Sequence, residues 1–458
     1  MNHPSVSCSG LAVVPNPVLQ HPHVVLISLN WARDKDPRLP LGHASLLATL
    51  KAAGRSVDSL VFAVNDGLAA DDIAARILEI KDRQSGRVVD LGIGAYVWGE
   101  PTIQALLPEL RRRGFGGRII LGGPQISFME SGFEEKYPDA DIFVRGSGEE
   151  ALLAINSSIE PITLAGVLYA GCTSQVTSAA SNLEALPSPW LGHDWEKEPL
   201  KFVRLETMRG CPYSCSFCQH RAPKQGPRLN YLAASRIMQE IDLFCRKEVE
   251  SVAVLDPIFN VSPVASEVLK AFVERGFRGR ISLQCRAERI TTEFLAAASQ
   301  LNVTLEFGLQ TIHAAESTAV NRHNKIAEVD RALSEVRRLG IHHEVSLIFG
   351  LPNQTLASFQ QTVEWCLNRH VPVIKAFPLM LLRGTQLELD APRWNLKQSK
   401  DAIPIVVSST TFDESDWKEM NAISAALRLS EGHHPKSIDG LTAGLVSTGD
   451  VHRWSPLG

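Results

Sequence analysis

The sequence predicts an α/β protein. An N-terminal doubly wound parallel sheet of Rossmann-like type is followed by a partial (β/α)6 barrel and a small C-terminal region. Three observations predict this. Between residues 22 and 155, short apolar runs alternate with helix-periodic stretches, the pattern of a parallel sheet with crossover helices. Six further strand–helix units occupy 201–390, too few to close an eight-stranded barrel. Beyond 391 the periodicity fades. The predicted segments are a loose Pro/Ser-containing leader (1–21), the sheet domain (22–155), a connector (156–200), the barrel (201–390) and a C-terminal region (391–458).

In the first domain, Val24–Leu29 is a short buried strand, and a helix follows over Leu41–Ala53. Ser56–Val64 is the next strand, after which Ile73, Ile77 and Ile80 stripe one helix face. Val88–Val97 reads as a strand, Thr102–Arg113 as a helix, and Arg118–Gly122 and Ala140–Val144 as strands. The last two break at Gly122-Gly123-Pro124 and Gly146-Ser147-Gly148-Glu149. Ligands of open α/β sheets bind at the carboxyl ends of strands, so these glycines are either backbone cradles or plain turns. The connector holds a predicted hairpin, Gly166–Ala170 with Gln175–Thr177, and a Pro-rich run ending at Trp190.

The barrel strands are Val203–Met208, Ser251–Leu255, Ile281–Cys285, Thr304–Leu309, Glu344–Phe349 and Val373–Phe377. Helical patterns lie near 231–246, 264–275, 291–299, 313–339 (interrupted) and 355–369. In the C-terminal region only Ala422–Leu429 reads as a helix.

Composition excludes several classes. Of 458 residues, 44% are hydrophobic and 21% charged, with a net charge of −4. That balance gives no basic excess for nucleic acid or an anionic membrane. No apolar run reaches the length of a spanning helix, and the first twenty residues lack a signal-peptide pattern. Five cysteines are scattered (Cys8, Cys172, Cys245, Cys285, Cys366), which is no disulfide framework.

The other three cysteines are packed into Cys211-Pro-Tyr-Ser-Cys215-Ser-Phe-Cys218. Three thiolates at this spacing can wrap one inorganic cluster and leave one iron open, since an ordinary iron–sulfur site closes with four. Zinc is the alternative, but it wants a fourth Cys or His. His220, the near candidate, lies only two residues past Cys218.

The run Arg209-Gly-Cys-Pro-Tyr-Ser-Cys-Ser-Phe-Cys218 closely resembles the signature of radical S-adenosylmethionine (SAM) enzymes. The glycine-rich strand ends, with Pro40-Leu41-Gly42, resemble the cobalamin-binding domain that precedes many such cores. The chain is therefore identified as similar to the cobalamin-dependent radical SAM enzymes. The resemblance implies a 4Fe–4S cluster on Cys211, Cys215 and Cys218 whose open iron takes the amine and carboxylate of SAM. It implies cobalamin near Tyr96, Trp98, Gly122, Gly123, Gly146, Gly148 and Glu149, with Ser147 standing where an acid is common. Asp-x-His-x-x-Gly, which supplies an axial imidazole elsewhere, is missing after the first strand. Asn30–Asp36 has no histidine, and Asp450 with His452 lies in the wrong domain with Ser455 in the glycine's place. Phe217 stands where the family packs an aromatic near adenine. Tyr96, Trp98 and Phe217 also suit plain packing.

Glu306-Phe-Gly-Leu-Gln310-Thr and Ala319-Val-Asn-Arg322 resemble the subgroup that includes oxygen-independent coproporphyrinogen dehydrogenases. There the Gln lines the SAM pocket and an Arg twelve residues on pairs with the SAM carboxylate. A guanidinium offers such a carboxylate a rigid fork, although Arg is usually a solvated surface charge. Gln284 and Ser346 stand where that subgroup has acids, so porphyrin-precursor oxidation is not implied. Asp256 ends the second barrel strand as a SAM-loop acid or a turn former. Arg286 is a candidate for SAM or substrate if Gln284 faces inward, and Cys285 then faces the helices.

The reading that follows is a C-methyltransferase acting on an unactivated carbon of a small metabolite or peptide, through a 5′-deoxyadenosyl radical and methylcobalamin. The alternative is non-methylating radical chemistry: dehydration, ring contraction, cyclisation or epimerisation. An iron–sulfur sensor is a third class, and it would need no SAM pocket. The resemblance also implies an electron donor such as flavodoxin or ferredoxin and, with an oxygen-labile cluster, a cytoplasmic location.

Overall fold

The computed structural model describes residues 21–33, 39–84, 86–172, 177–192, 200–220, 229–401, 403–441 and 443. The leader up to residue 20, Asp34–Asp36, Gln175 and the run with Asp450, His452 and Ser455 lie outside the described residues.

In chain order the first part comprises β1 (His23–Asn30), α1 (Leu41–Ala52), β2 (Val57–Ala63), α2 (Ala70–Arg83), β3 (Val89–Gly94) and α3 (Glu100–Arg112). It continues through β4 (Ile119–Gly122), α4 (Pro124–Ser127), α5 (Phe133–Lys136), β5 (Ile142–Val144), α6 (Glu149–Asn156) and β6 (Val167–Tyr169). The sheet order is β2-β1-β3-β4-β5-β6. The first five strands are parallel, and β6 joins β5 antiparallel. The Gly166–Ala170 arm of the expected hairpin therefore extends this sheet.

Alternation along β1 divides the packing. Val25, Ile27 and Leu29 join one core with Ile73, Ile77, Ile103 and Leu106. Val24 and Leu26 join the other with Leu47, Leu50, Leu152 and Ile155. Helices α2 and α3 thus cover one face and α1 and α6 the other, as double winding requires. The order reverses between β1 and β3, so a crevice opens at their carboxyl ends. β3 is shorter than its apolar run, because the chain turns at Ala95 to put Tyr96 and Trp98 in that crevice.

The second part begins with β7 (Phe202–Leu205), β8 (Met208–Arg209), β9 (Asn230–Tyr231), α7 (Ala234–Arg246), β10 (Ser251–Val254), α8 (Ala265–Glu274), β11 (Arg280–Cys285) and α9 (Thr292–Ala298). Then come β12 (Asn302–Gln310), α10 (Ala314–Ala319), α11 (Ile326–Arg338), β13 (His342–Phe349), α12 (Leu356–Asn368) and β14 (Val373–Pro378). The six long strands pair in parallel in the order β14-β13-β12-β11-β10-β7. The sheet is open, with β7 and β14 as its edges.

The expected run Val203–Met208 breaks at Glu206-Thr207. The amides of Thr207 and Met208 leave the ladder to donate to the Asp256 carboxylate, at 2.8 and 3.2 Å. The C-terminal region holds α13 (Gln386–Leu389), β15 (Lys397–Gln398), β16 (Val406–Ser408) and α14 (Glu414–Leu429). α14 starts eight residues before the expected helix, capped by a reciprocal box between Asp413 and Asp416. It covers the β14 edge, where Ser424 donates to the Ala376 carbonyl at 2.7 Å.

Candidate active site

The cysteine loop follows β8 and is held by segments distant in sequence. The Ser216 amide donates to the Val320 carbonyl and the Leu387 amide to the Ser216 carbonyl, both at 2.9 Å. Asn321 grips the Ser214 carbonyl and hydroxyl at 2.9 and 3.0 Å. Gln219 donates to the Arg383 carbonyl at 2.9 Å. Cys211 and Cys215 are buried. Burial raises the Cys211 thiol and pushes Cys218 up to about 11. His220 touches Cys218 through its backbone amide, 3.4 Å from Sγ. Among the described residues no group of three or more His, Cys, Asp or Glu side chains is spaced for a single metal ion. A cube of four irons, each taking at most one thiolate, does not require such convergence.

The loop faces a cavity of about 1680 Å³ that runs down the inside of the sheet. Its lining includes the three cysteines, Phe217, Gln284, Gln310, Arg322 and Ser346. Gln310 ends β12 at a bulge with φ 69°, a conformation that costs energy in a non-glycine residue. Its Oε1 is buried with no hydrogen-bond partner among the described residues, and so is Nε of Arg322. Arg322 rests on the Gly308 carbonyl and lies 3.8 Å from Cys215 Sγ. Buried orphan atoms are costly. An acceptor and a donor left open beside the three-cysteine loop fit a polar ligand such as SAM.

Two of the expected residues have protein partners of their own. Asp256 is fully buried and does not line the cavity. Its oxygens accept from Thr207 Oγ1 and the Thr207 and Met208 amides. Desolvation raises its carboxyl to about 6. It fastens the approach to the cysteine loop instead of reaching SAM. Arg286 lines the cavity, but its guanidinium is engaged by the His323 carbonyl at 2.6 Å and Glu288 at 3.3 Å. It also lies 4.1 Å over the Tyr213 ring, inside the cysteine motif. It braces the loop. Cys285 is buried in the barrel's hydrophobic core with its thiol raised by desolvation.

In the crevice of the first sheet, Tyr96 and Trp98 stack at 4.8 Å and 11°. Trp98 Nε1 donates to the Leu29 carbonyl at 2.9 Å, pinning the pair to the end of β1. Burial pushes the Tyr96 hydroxyl up, with Arg204, Glu149 and Arg209 as the neighbouring charges, so the pair sits toward the barrel.

Of the two readings open for the glycines, cradle or turn, the packing favours the turn at Gly123 and Gly146. A Cβ on Gly123 (φ 92°) would lie 2.9 Å from the Ala95 carbonyl oxygen, and on Gly146 (φ 88°) 2.3 Å from that of Ala179. At both positions another backbone segment fills the space, so they are close-packed turns and not open cradles. Gly122 would meet Val144 at an ordinary 3.7 Å, and Gly148 would press on Leu46.

Glu149 is buried and already occupied. It accepts from Arg209 at 2.6 Å, Ser45 at 3.0 Å and Ser181 at 3.4 Å. Burial drives its carboxyl up, but Arg209, its own backbone amide and Ser45 outweigh this and hold it low. Arg209 also holds Glu206 at 2.9 Å, so this network joins the first sheet domain to the strand just before Cys211. A second junction was invisible in sequence. Arg383 donates to both Glu100 oxygens (3.0 and 3.2 Å) and to the Gln125 carbonyl (2.8 Å), while its own carbonyl holds Gln219. No local motif marks either pair.

Residues 205–366 match the pattern described as the Radical SAM superfamily. Residues 205–366 therefore form a radical SAM domain. The chain's overall fold is similar to that of OxsB, a cobalamin-dependent S-adenosylmethionine radical enzyme (TM-score 0.64, 14% identity, covering 93% of this chain and 71% of that one). The chain is 27% identical over 301 residues to the cobalamin-dependent radical SAM methyltransferase TokK of Streptomyces tokunonensis, covering 60% of this chain and 44% of TokK. It is 23% identical over 353 residues to the anaerobic magnesium-protoporphyrin IX monomethyl ester cyclase of Cereibacter sphaeroides, covering 70% of this chain and 55% of the cyclase. It thus spans about half the length of these curated relatives. In fold it is similar to the radical SAM methyltransferase TsrM from Kitasatospora setae, solved with tryptophan substrate and a SAM analogue (TM-score 0.69, 16% identity, 91% of this chain, 92% of that one). No described helix of this radical SAM protein is long and apolar enough to cross a membrane.

Proposed function

We propose that this protein is a cobalamin-dependent radical SAM methyltransferase that acts on an unactivated carbon of a small molecule. The observation that carries the reading is one cavity lined by the three cysteines and by the orphaned polar atoms of Gln310 and Arg322. The first sheet's aromatic pair stands against the same region through the Glu149–Arg209 junction. When bound, the cluster supplies the electron that splits SAM, and cobalamin supplies the methyl carrier. Arg322 presents its guanidinium to the SAM carboxylate, and Gln284, Gln310 and Ser346 hydrogen-bond the polar groups of SAM. Phe217 packs at adenine. Tyr96 and Trp98 would pack against a cobalamin bound in this crevice, and Asn30–Arg33 offers no histidine to it. An external donor such as flavodoxin or ferredoxin delivers the electron. The TokK and TsrM likenesses support methylation, and the cyclase likeness favours a second reading, ring closure without methyl transfer.

Two results test this. Protein purified with cobalamin available retains about one equivalent, as expected of a single crevice at the β1/β3 switch point. With SAM, reductant and substrate it forms both 5′-deoxyadenosine and S-adenosylhomocysteine. Formation of 5′-deoxyadenosine alone would promote ring closure, and failure of the folded protein to retain cobalamin would remove the cofactor assignment.

Arg322→Ala weakens SAM binding by roughly 2–4 kcal/mol, the loss typical of a desolvated charge partner, while iron content stays unchanged. Unaltered SAM affinity would make Arg322 a buttress for Gly308 and Cys215 only.

A further inference from the structure

The cavity continues below the cysteine loop, and its wall there is chemically specific. Lys375 on β14 and Glu344 on β13 both line it and pair at 2.6 Å. Glu344 is buried, with only 9% of its side chain exposed. Glu306 stands directly across the ladder from Glu344 and lines the same cavity. A buried ion pair is no better for stability than an apolar pair of similar volume, so bracing the sheet does not require these charges.

Nearer the strands' carboxyl ends the wall also carries apolar side chains. Phe377 follows Lys375 by two residues on the same face of β14, about 6.6 Å nearer the strand's carboxyl end. It is 40% exposed. Leu255, just past β10 on another wall, is 38% exposed. Among the described residues these are the exposed large apolar side chains that line the cavity. The lumen thus offers an ammonium beside a carboxylate at depth, with Phe377 and Leu255 on two of its walls nearer the strands' carboxyl ends.

Resting on the radical SAM reading, we infer that the substrate is a free amino-acid-type zwitterion with an apolar side group. Its carboxylate sits on Lys375, its ammonium on Glu344, and its apolar carbons lie between Phe377 and Leu255. A zwitterionic head complements both members of the pair at once, whereas a neutral or singly charged head complements at most one of them. An internal peptide residue, whose α-amine and α-carboxyl are amides, would fail in the same way.

The test uses anaerobically reconstituted full-length protein and three probes in titration calorimetry: L-phenylalanine, 2-phenylethylamine and 3-phenylpropionate. The wild type binds L-phenylalanine roughly tenfold or more tightly than either singly charged probe, as loss of a buried charge partner predicts. In Lys375→Met that advantage over 2-phenylethylamine disappears, and in Glu344→Gln the advantage over 3-phenylpropionate disappears. The double variant Lys375→Met/Glu344→Gln, which removes both members of the ion pair together, keeps the fold and prefers none of the three. SAM cleavage by dithionite, without any probe, is measured on the same preparation. Wild type that cleaves SAM but binds the three probes equally, or none of them, overturns the zwitterion assignment and leaves the radical SAM reading standing. Wild type that holds four irons and cleaves no SAM overturns that reading, and this inference with it.

Discussion

Alanine at Cys211, Cys215 or Cys218, one at a time, abolishes 5′-deoxyadenosine formation. The reason is stoichiometric. The motif provides three thiolates where an iron–sulfur cube has four positions, so losing one leaves half the irons without a protein ligand. The surroundings do not compensate. Cys211 and Cys215 are buried, and desolvation raises the Cys211 and Cys218 thiols, so iron and not the loop must stabilise the thiolates. The variants should still fold, because Val320, Leu387, Asn321 and Arg383 hold the loop through backbone groups and the side chains of Ser214 and Gln219. Iron content, absorbance near ~400 nm from thiolate-ligated iron and 5′-deoxyadenosine are the measurements. SAM cleavage surviving in any single variant would defeat the assignment.

Arg209→Ala costs roughly 3–5 kcal/mol of stability, because it strands a buried carboxylate. Glu149 has 5% of its side chain exposed and Arg209 is its charge partner at 2.6 Å, so only Ser45, Ser181 and its own backbone amide are left to solvate the anion. Glu149→Gln/Arg209→Met removes both charges and recovers most of the loss, since the desolvation penalty goes with the pair. Chemical denaturation of the apo-protein measures both, and a loss below ~1 kcal/mol for Arg209→Ala would place the pair among weak surface bridges. Cobalamin retention follows the same order if this junction holds the crevice against the barrel.

Much of the architecture was legible because its signals are local. The apolar runs of β1 and the Ile73, Ile77, Ile80 stripe of α2 are the strand and helix periods themselves. Boundaries failed where a distant partner intervened. The 203–208 run looked like one strand until Asp256 took two of its amides. α14 looked short because its start is set by an Asp413 cap and not by apolar spacing. Asp256 and Arg286 read as ligand contacts because residue type and position allow it, yet both side chains are spent on bracing the cysteine loop.

The sequence by itself determined the chemistry of the cysteine loop, the order of the elements and the pairing in kind of Gln310 with Arg322, since each is written in spacing along the chain. Only the tertiary structure decided that Gly123 and Gly146 are packed against Ala95 and Ala179. It alone joined Glu149 to Arg209 and Glu100 to Arg383, and set Lys375 beside Glu344 within the cavity. Those facts depend on which strands become neighbours and how closely two backbones approach. Burial and mutual desolvation arise between segments scores of residues apart, where no local pattern records them.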